Sequence, residues 1–154
     1  MSAPDATTAL VIRPARSRDA GALLALYNAA RAGAGCFSGP DAELAEFLGA
    51  IDGEAVHVAM VAGEIAGFVS VWVPERFIHH LYVSPAYQRA GIGRALLRLC
   101  EARYGRPLSL KCVTRNVRAR CFYQQCGWRC EGGGVGEDGP WEHWFSPPVV
   151  RHPP

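Results

Sequence analysis

The 154-residue chain contains no apolar run long enough to cross a bilayer, which takes about 20 consecutive apolar residues. Its first residues, MSAPDATTALVIR, have no basic stretch leading into an apolar one, so no secretory signal is read there. The expectation is a cytoplasmic protein without membrane association. No C-x-x-C pair occurs among the six cysteines, Cys36, Cys100, Cys112, Cys121, Cys126 and Cys130. Without a secretory signal or small-scaffold spacing, their even number does not imply a disulfide framework. Cys126 and Cys130 with His143 are three zinc-ligand types, but no fourth is at hand and the cysteines fall on apolar or periodic positions. Buried free thiols and no bound metal are expected. There is no internal repeat and no low-complexity tract. Charged residues make up only 19%, against 49% hydrophobic, which excludes a disordered chain. The length suits one domain with its own core, spanning about residues 8–146. Residues 1–8 and the proline-bearing tail after Phe145 read as loose ends.

Acidic residues are nearly missing from one region. Between Gln88 and Cys130 ten basic residues stand against a single acid, Glu101, so that segment carries +9 in a chain of net +2. The total charge says little about partners; the local asymmetry points to an anionic ligand handled by the middle of the chain.

Periodicity supplies the elements. Leu10–Arg13 reads as a strand. Asp19 is placed to cap a helix running to about Ala30, with Leu23, Leu24, Leu26 and Tyr27 on its apolar side. Gly33–Gly39 reads as a loop and Pro40–Ile51 as a second helix. Strands Val56–Val61 and Ile65–Val73 flank a tight turn at Gly63-Glu64, and Phe77–Val83 is a further strand. Ile92–Tyr104 is a helix, Leu108–Val113 a strand, and Asn116–Cys126 a helix. Trp128–Glu131 and Glu142–Phe145 close the pattern as strands around a flexible loop, GGGVGEDGP. This order predicts a mixed sheet with helices on its faces and excludes the repeated βαβ of a doubly wound fold.

The stretch Gln88-Arg89-Ala90-Gly91-Ile92-Gly93 joins a strand to a helix. The first N–H groups of a helix have no partners within it. Glycines there permit positive φ and remove Cβ atoms that would hold a ligand off, and the helix N-terminus carries partial positive charge. With Arg89 and Arg94 beside it, the turn is a candidate phosphate cradle. A Walker loop is excluded by the lack of Gly-Lys-Ser/Thr. A dinucleotide fingerprint is excluded by Leu96 in place of a third glycine and by the absence of an acid near Lys111.

The hexapeptide matches the Q/R-x-x-G-x-G/A signature of the GCN5-related N-acetyltransferase (GNAT) superfamily. The lead-in IHHLYVSPAY resembles that family's fourth strand, and NVRARCFYQQCGW its N-x-x-A-x-x-F-Y-x-x-x-G-F/W segment. The resemblance implies an α/β (α+β) GNAT fold: a mixed, mostly antiparallel sheet of six to seven strands flanked by four helices and splayed between strands 4 and 5. It implies acetyl-CoA as cosubstrate, lying in that opening. The main chain of Leu81, Tyr82 and Val83 would pair with the pantetheine arm. The N–H groups from Gln88 and Arg89 through Ala90, Gly91, Ile92 and Gly93 to Arg94 would hold the pyrophosphate. Asn116 would contact the pantetheine or orient the pocket while capping its helix. Arg98 or Arg120 would reach the 3′-phosphate.

The implied chemistry is acyl transfer to an amine, which must lose a proton before attack. Tyr123 occupies the family's position for the donor that protonates the departing thiolate. Several members carry a glutamate base on strand 4; here that position is Phe77. His79 lies two residues on, predicted on the same sheet face, and its ordinary pKa suits proton acceptance. Glu75, acting through water, is the alternative, and His80 is expected to face the other way. Acceptor recognition is assigned to Tyr27, Cys36, Phe37, Trp141, His143 and Trp144. The implied partners are acetyl-CoA and an amine acceptor, with no nucleic acid; a homodimer is open. The competing readings are a non-catalytic CoA-binding or sensor module on the same fold and a nucleic-acid-binding domain. The second would need aromatics interleaved with an open basic surface, whereas here the charge is anchored to a glycine turn.

Overall fold

The structure, a computed structural model, describes residues 9–148. The two expected loose ends therefore lie largely outside the described residues. The first strand, β1 (Val11–Pro14), leads through a short 3-10 turn into α1 (Ala20–Ala34), followed by α2 (Leu44–Ala50). An antiparallel meander comes next: β2 (Ala55–Val61), β3 (Glu64–Trp72) and β4 (Phe77–Val83). Then follow α3 (Ile92–Tyr104), β5 (Ser109–Val113), α4 (Val117–Gln125), β6 (Arg129–Gly136) and β7 (Gly139–Phe145). The seven strands form one sheet in the order β1-β2-β3-β4-β5-β7-β6. Among the described residues no helix is long and apolar enough to cross a membrane.

Every neighbouring pair is antiparallel except β4 and β5, and that parallel contact is short. It holds at Phe77↔Ser109 and Ile78↔Leu110 and then ends. Beyond Ile78 the two strands diverge, so among the described residues the β5-facing edge of β4 from His79 to Val83 has no ladder partner. This is the expected splay.

Each face of the sheet has its own core. Under α3 and α4 lie Val69, Val71, Ile78, Leu96, Leu97, Cys100, Leu110, Tyr123, Trp128 and Trp144. Under α1 and α2 lie Leu23, Leu26, Phe47, Val58 and Phe68. Leu96 is fully buried, and truncating such a residue to alanine costs about 2–5 kcal/mol through lost transfer energy and the cavity left behind.

Several local expectations are corrected. Helix α1 runs on to Ala34 and takes in Gly33, stopping at Gly35 in the left-handed region. Helix α2 begins only at Leu44. Asp19 occupies the N-cap position of α1 without capping it. Its carboxylate instead accepts from the Arg13 guanidinium at 2.8 and 3.0 Å and from the Arg16 N–H at 2.7 Å; the Arg13 bonds, then the Arg16 amide, hold its pKa down at about 2. The β2–β3 turn is Ala62-Gly63, both at positive φ, one residue earlier than expected. Such a two-residue turn matches the twist of the strands it joins.

The largest correction concerns GGGVGEDGP, which is paired strand and not a flexible loop. β6 continues to Gly136 and β7 starts at Gly139, with Gly136↔Gly139 closing the hairpin. Three of its glycines, Gly133, Gly134 and Gly136, adjoin Trp141. A Cβ at Gly134 would fall 2.7 Å from its ring, so only bare backbone lets the indole lie across this strand.

Candidate active site

The strand-to-helix turn after β4 has the geometry of an anion cradle. Arg89 and Gly91 both take positive φ, 67° and 79°. The first α3 amide with a backbone partner is that of Ala95, bonded to Gly91 O at 3.0 Å. Among the described residues, the main-chain N–H groups of Gln88 through Arg94 meet no acceptor. A Cβ at Gly91 would meet nothing within 4 Å, so its surroundings are open. Gly93 has a packing reason as well: a Cβ there would sit 3.1 Å from the Phe122 ring, so its bare backbone lets α4 close onto α3. Arg118, on the first turn of α4, donates to Gln88 Oε1 at 2.7 Å and ties the two elements together.

Leu81 and Val83 turn their side chains into the core beneath α3, which leaves their main chain along the open edge. Tyr82 points to the other face, meeting Tyr27 edge-on with centroids 5.3 Å apart. Asn116 caps α4, accepting from the Ala119 N–H at 3.3 Å. Tyr123 is 7% exposed and packs on Trp128 and Trp144. Burial pushes its phenol well above the ordinary value, reinforced by the Cys112 thiol of β5 and the Tyr82 hydroxyl of β4. Among the described residues the Tyr123 hydroxyl has no hydrogen-bond partner. Arg120 is engaged by Glu142, whereas Arg98 is exposed.

His79 sits where the β3–β4 register shifts. Ser70 pairs with His80 and Val71 with Ile78, leaving His79 as the extra residue of a bulge. A bulge breaks the period-two alternation. His79 and His80 consequently lie on one face, their rings stacked with centroids 4.0 Å apart. The expectation that His80 faces away is corrected by this bulge. His80 Nδ1 lies 2.8 Å from Ser70 Oγ, and burial, then His79 and Arg31, lower its pKa to about 3. His79 remains 43% exposed, with Nδ1 2.7 Å from Glu54 Oε2. Glu75 lies exposed in the 3-10 turn after β3 and makes no side-chain hydrogen bond among the described residues. Glu54, which the sequence reading missed, is the carboxylate beside His79. No local spacing relates positions 54 and 79; only the pairing of β2, β3 and β4 joins them.

Tyr27 meets the His80 ring edge-on at 5.5 Å, and the Arg31 guanidinium lies over Phe37 at 3.9 Å and near Tyr27. Asp138, in the β6–β7 turn, accepts from the N–H and hydroxyl of Ser38 at 2.9 and 3.0 Å. Arg115 donates to the carbonyls of Cys36 and Asp138. Loop 35–43 is thereby pinned across the sheet to the hairpin. Trp141 and His143 lie on β7, directly opposite Val113 and Lys111 of β5, and Lys111 Nζ sits 4.3 Å from the Trp141 ring centre. Trp144 points the other way, into the core against Tyr123, which removes it from the acceptor-site candidates. Cys126, Cys130 and His143 are not gathered; the one cluster of metal-ligand types among the described residues is Glu54, His79 and His80. All six cysteines are free, but Cys121 and Cys130 are exposed, contrary to the expected burial.

A mixed sheet that parts between β4 and β5 and continues into the next helix through a glycine turn is the fold of the acetyltransferase class. The comparisons agree. The model of the acetyltransferase (GNAT) domain matches residues 52–130, and the chain belongs to that family. A 5-NmdU N-acetyltransferase of Pseudomonas phage PaMx11 is 31% identical over 90 residues, covering 54% of this chain and 64% of that protein. The chain thus matches somewhat less than two thirds of that relative's length. Among solved structures, apo YjaB from Escherichia coli superposes with a TM-score of 0.73 at 18% identity, over 89% of this chain and 97% of that one. A ribosomal-protein-alanine N-acetyltransferase from Brucella melitensis gives 0.69 at 23%, over 88% and 98%. These two likenesses concern the fold.

Proposed function

We propose that the chain transfers the acetyl group of acetyl-CoA to a primary amine of a small molecule, peptide or protein, by direct attack with both substrates bound. The observation that carries this reading is the run of unpaired N–H groups from Gln88 to Arg94 beside the uncovered edge of β4. Unpaired amides at a helix N-terminus are an anion site, and Arg89 and Arg94 add charge. Acetyl-CoA fits this donor set: its diphosphate matches the amides of Gln88, Arg89, Ala90, Gly91, Ile92, Gly93 and Arg94. Its pantetheine amides match the main chain of Leu81, Tyr82 and Val83, with Asn116 ordering the wall. Bound there, it supplies an acyl group already activated as a thioester.

This chain's residues would handle the protons. His79 accepts one from the attacking amine, and Tyr123, kept protonated by burial, gives one to the departing sulfur. Tyr27, Phe37, Glu75, Trp141 and His143 are the proposed acceptor contacts. The phage relative and the Brucella protein are both named as N-acetyltransferases, one for 5-NmdU and one for ribosomal-protein alanine. An amine nitrogen is what those two names share.

Phe77, standing where several members carry glutamate, favours the second reading of a non-catalytic CoA-binding module. Free CoA release, measured across polyamines, amino acids, aminoglycosides, aminomethyl nucleosides and N-terminal peptides, separates the two. Turnover with any amine supports the enzyme. CoA-dependent thermal stabilisation with no turnover across the panel supports the module.

A further inference from the structure

Glu54 stands immediately before β2, and its side chain is only 7% exposed. One oxygen, Oε2, meets His79 Nδ1; the other, Oε1, is buried and has no hydrogen-bond partner among the described residues. A carboxylate withdrawn from water costs free energy unless it is paired. Among the described residues no arginine or lysine pairs with Glu54, and His79 is its one partner. The fold therefore sustains a desolvated carboxyl group for a single contact, and that contact is with the bulged residue at the point where β4 leaves β5.

The contact has a chemical consequence. An ionised carboxylate can only accept, so opposite it the neutral ring carries its hydrogen on Nδ1 and keeps the lone pair on Nε2. Free imidazole prefers the opposite tautomer. The ring plane is held as well. His80 stacks beneath it at 4.0 Å and is itself fixed through Nδ1 to Ser70 Oγ at 2.8 Å. His79 is thus set in tautomer by a carboxylate and in orientation by a stacked neutral ring, on a side chain that stays 43% exposed.

A metal site is the competing use of the same residues, whose donor atoms lie within 4.8 Å of one another. The geometry argues against it. Both Nδ1 atoms are already engaged by Glu54 and Ser70. The ring planes, which contain the lone pairs, are inclined by only 30°, so at this stacking distance they do not meet within a metal–nitrogen bond length of both rings.

We propose that Glu54 is a positioning residue for the transfer reaction: it holds His79 as the Nδ1–H tautomer, keeping the Nε2 lone pair ready for the acceptor amine's proton. This rests on the reading of His79 as proton acceptor, and the test separates the two.

The experiment records long-range nitrogen–proton correlations of the histidine rings in full-length protein labelled with ¹⁵N-histidine. It is run at about pH 8.5, two units above the ordinary imidazole value. A His79→Gln variant assigns the His79 signals, and the His57 ring, bonded to Tyr104, reports that each variant is folded. Wild type is expected to show His79 as Nδ1–H. Glu54→Ala shifts it to mainly Nε2–H and lowers kcat about 10-fold or more, with KM for acetyl-CoA unchanged. Glu54→Gln, whose amide oxygen still accepts, keeps most of the Nδ1–H form and restores most of kcat. A wild-type Nε2–H pattern, or a pattern unmoved in Glu54→Ala, overturns the positioning role and leaves His79 standing as base. Wild-type turnover by His79→Gln overturns the base, and with it any catalytic meaning of the tautomer.

Discussion

The Asp138 carboxylate accepts from both the backbone N–H and the hydroxyl of Ser38, at 2.9 and 3.0 Å, across 100 residues of sequence. These bonds hold the α1–α2 loop against the β6–β7 turn, with Arg31 4.0 Å from the same carboxylate. The Ser38 N–H, then Ser38 Oγ and the nearby Arg31 and Arg115, hold the Asp138 pKa below the ordinary carboxylate value. The Asp138→Ala change should release residues 35–43 and leave the two cores alone. Hydrogen exchange at the Ser38 amide should quicken by about tenfold or more, with KM for the acceptor amine raised and CoA affinity unaltered. Ser38 protection equal to wild type would count against the strap.

The two glycines of the turn should behave differently. Gly91 has open space but positive φ. Gly91→Ala should therefore cost only backbone strain, about 1 kcal/mol, while Gly91→Glu should abolish CoA binding in calorimetry by placing a carboxylate in the cradle. Gly93→Ala should instead push on Phe122 and lower Tm, since overpacking of this kind typically costs about 1–3 kcal/mol. Unchanged CoA affinity in Gly91→Glu would remove the anion site.

Removing the Tyr123 hydroxyl should harm turnover and spare the fold. It has no hydrogen-bond partner among the described residues, so Tyr123→Phe should leave Tm nearly unmoved and CoA affinity intact. Turnover should fall about 100-fold or more if the phenol donates to the departing sulfur. Because burial raises its pKa, Tyr123 should stay protonated up to and beyond pH 10, the ordinary phenol value. A basic limb below that pH must come from another group. Equal loss of kcat and CoA affinity in the phenylalanine variant would contradict the donor role.

Acid should destabilise the fold through His80. Its folded pKa is about 3, against about 6.5 in the unfolded chain. Between those values the unfolded state binds the extra proton. The contribution is full above about pH 6.5 and is lost as pH falls toward 3, at about 1.4 kcal/mol per unit. His57, its pKa lowered chiefly by burial and also by Arg103, adds in the same direction. Urea unfolding at pH 7, 6, 5 and 4 should show this slope, and His80→Asn should remove roughly one proton's worth of it. An identical slope in the variant would mean that His80 is not buried neutral.

Much of the geometry around the glycine turn is written in local sequence signals. β4 and α3 match their expected limits, Phe77–Val83 and Ile92–Tyr104, because apolar spacing and a glycine turn are local signals. The bare turn at Gln88–Arg94 and the Asn116 cap of α4 follow from the same kind of signal, because each is made by neighbours in the chain. The surroundings of His79 depend instead on pairing between distant segments. The bulge at His79 comes from register against β3, which no alternation within β4 can reveal. Glu54 meets His79 only after three strands have paired, and Asp138 meets Ser38 only after the sheet is complete. GGGVGEDGP has the composition of a loop, yet Trp141 and the β7 ladder make it strand. A short-range pattern records what a residue does to its own backbone; these contacts join residues whose separation along the chain carries no period.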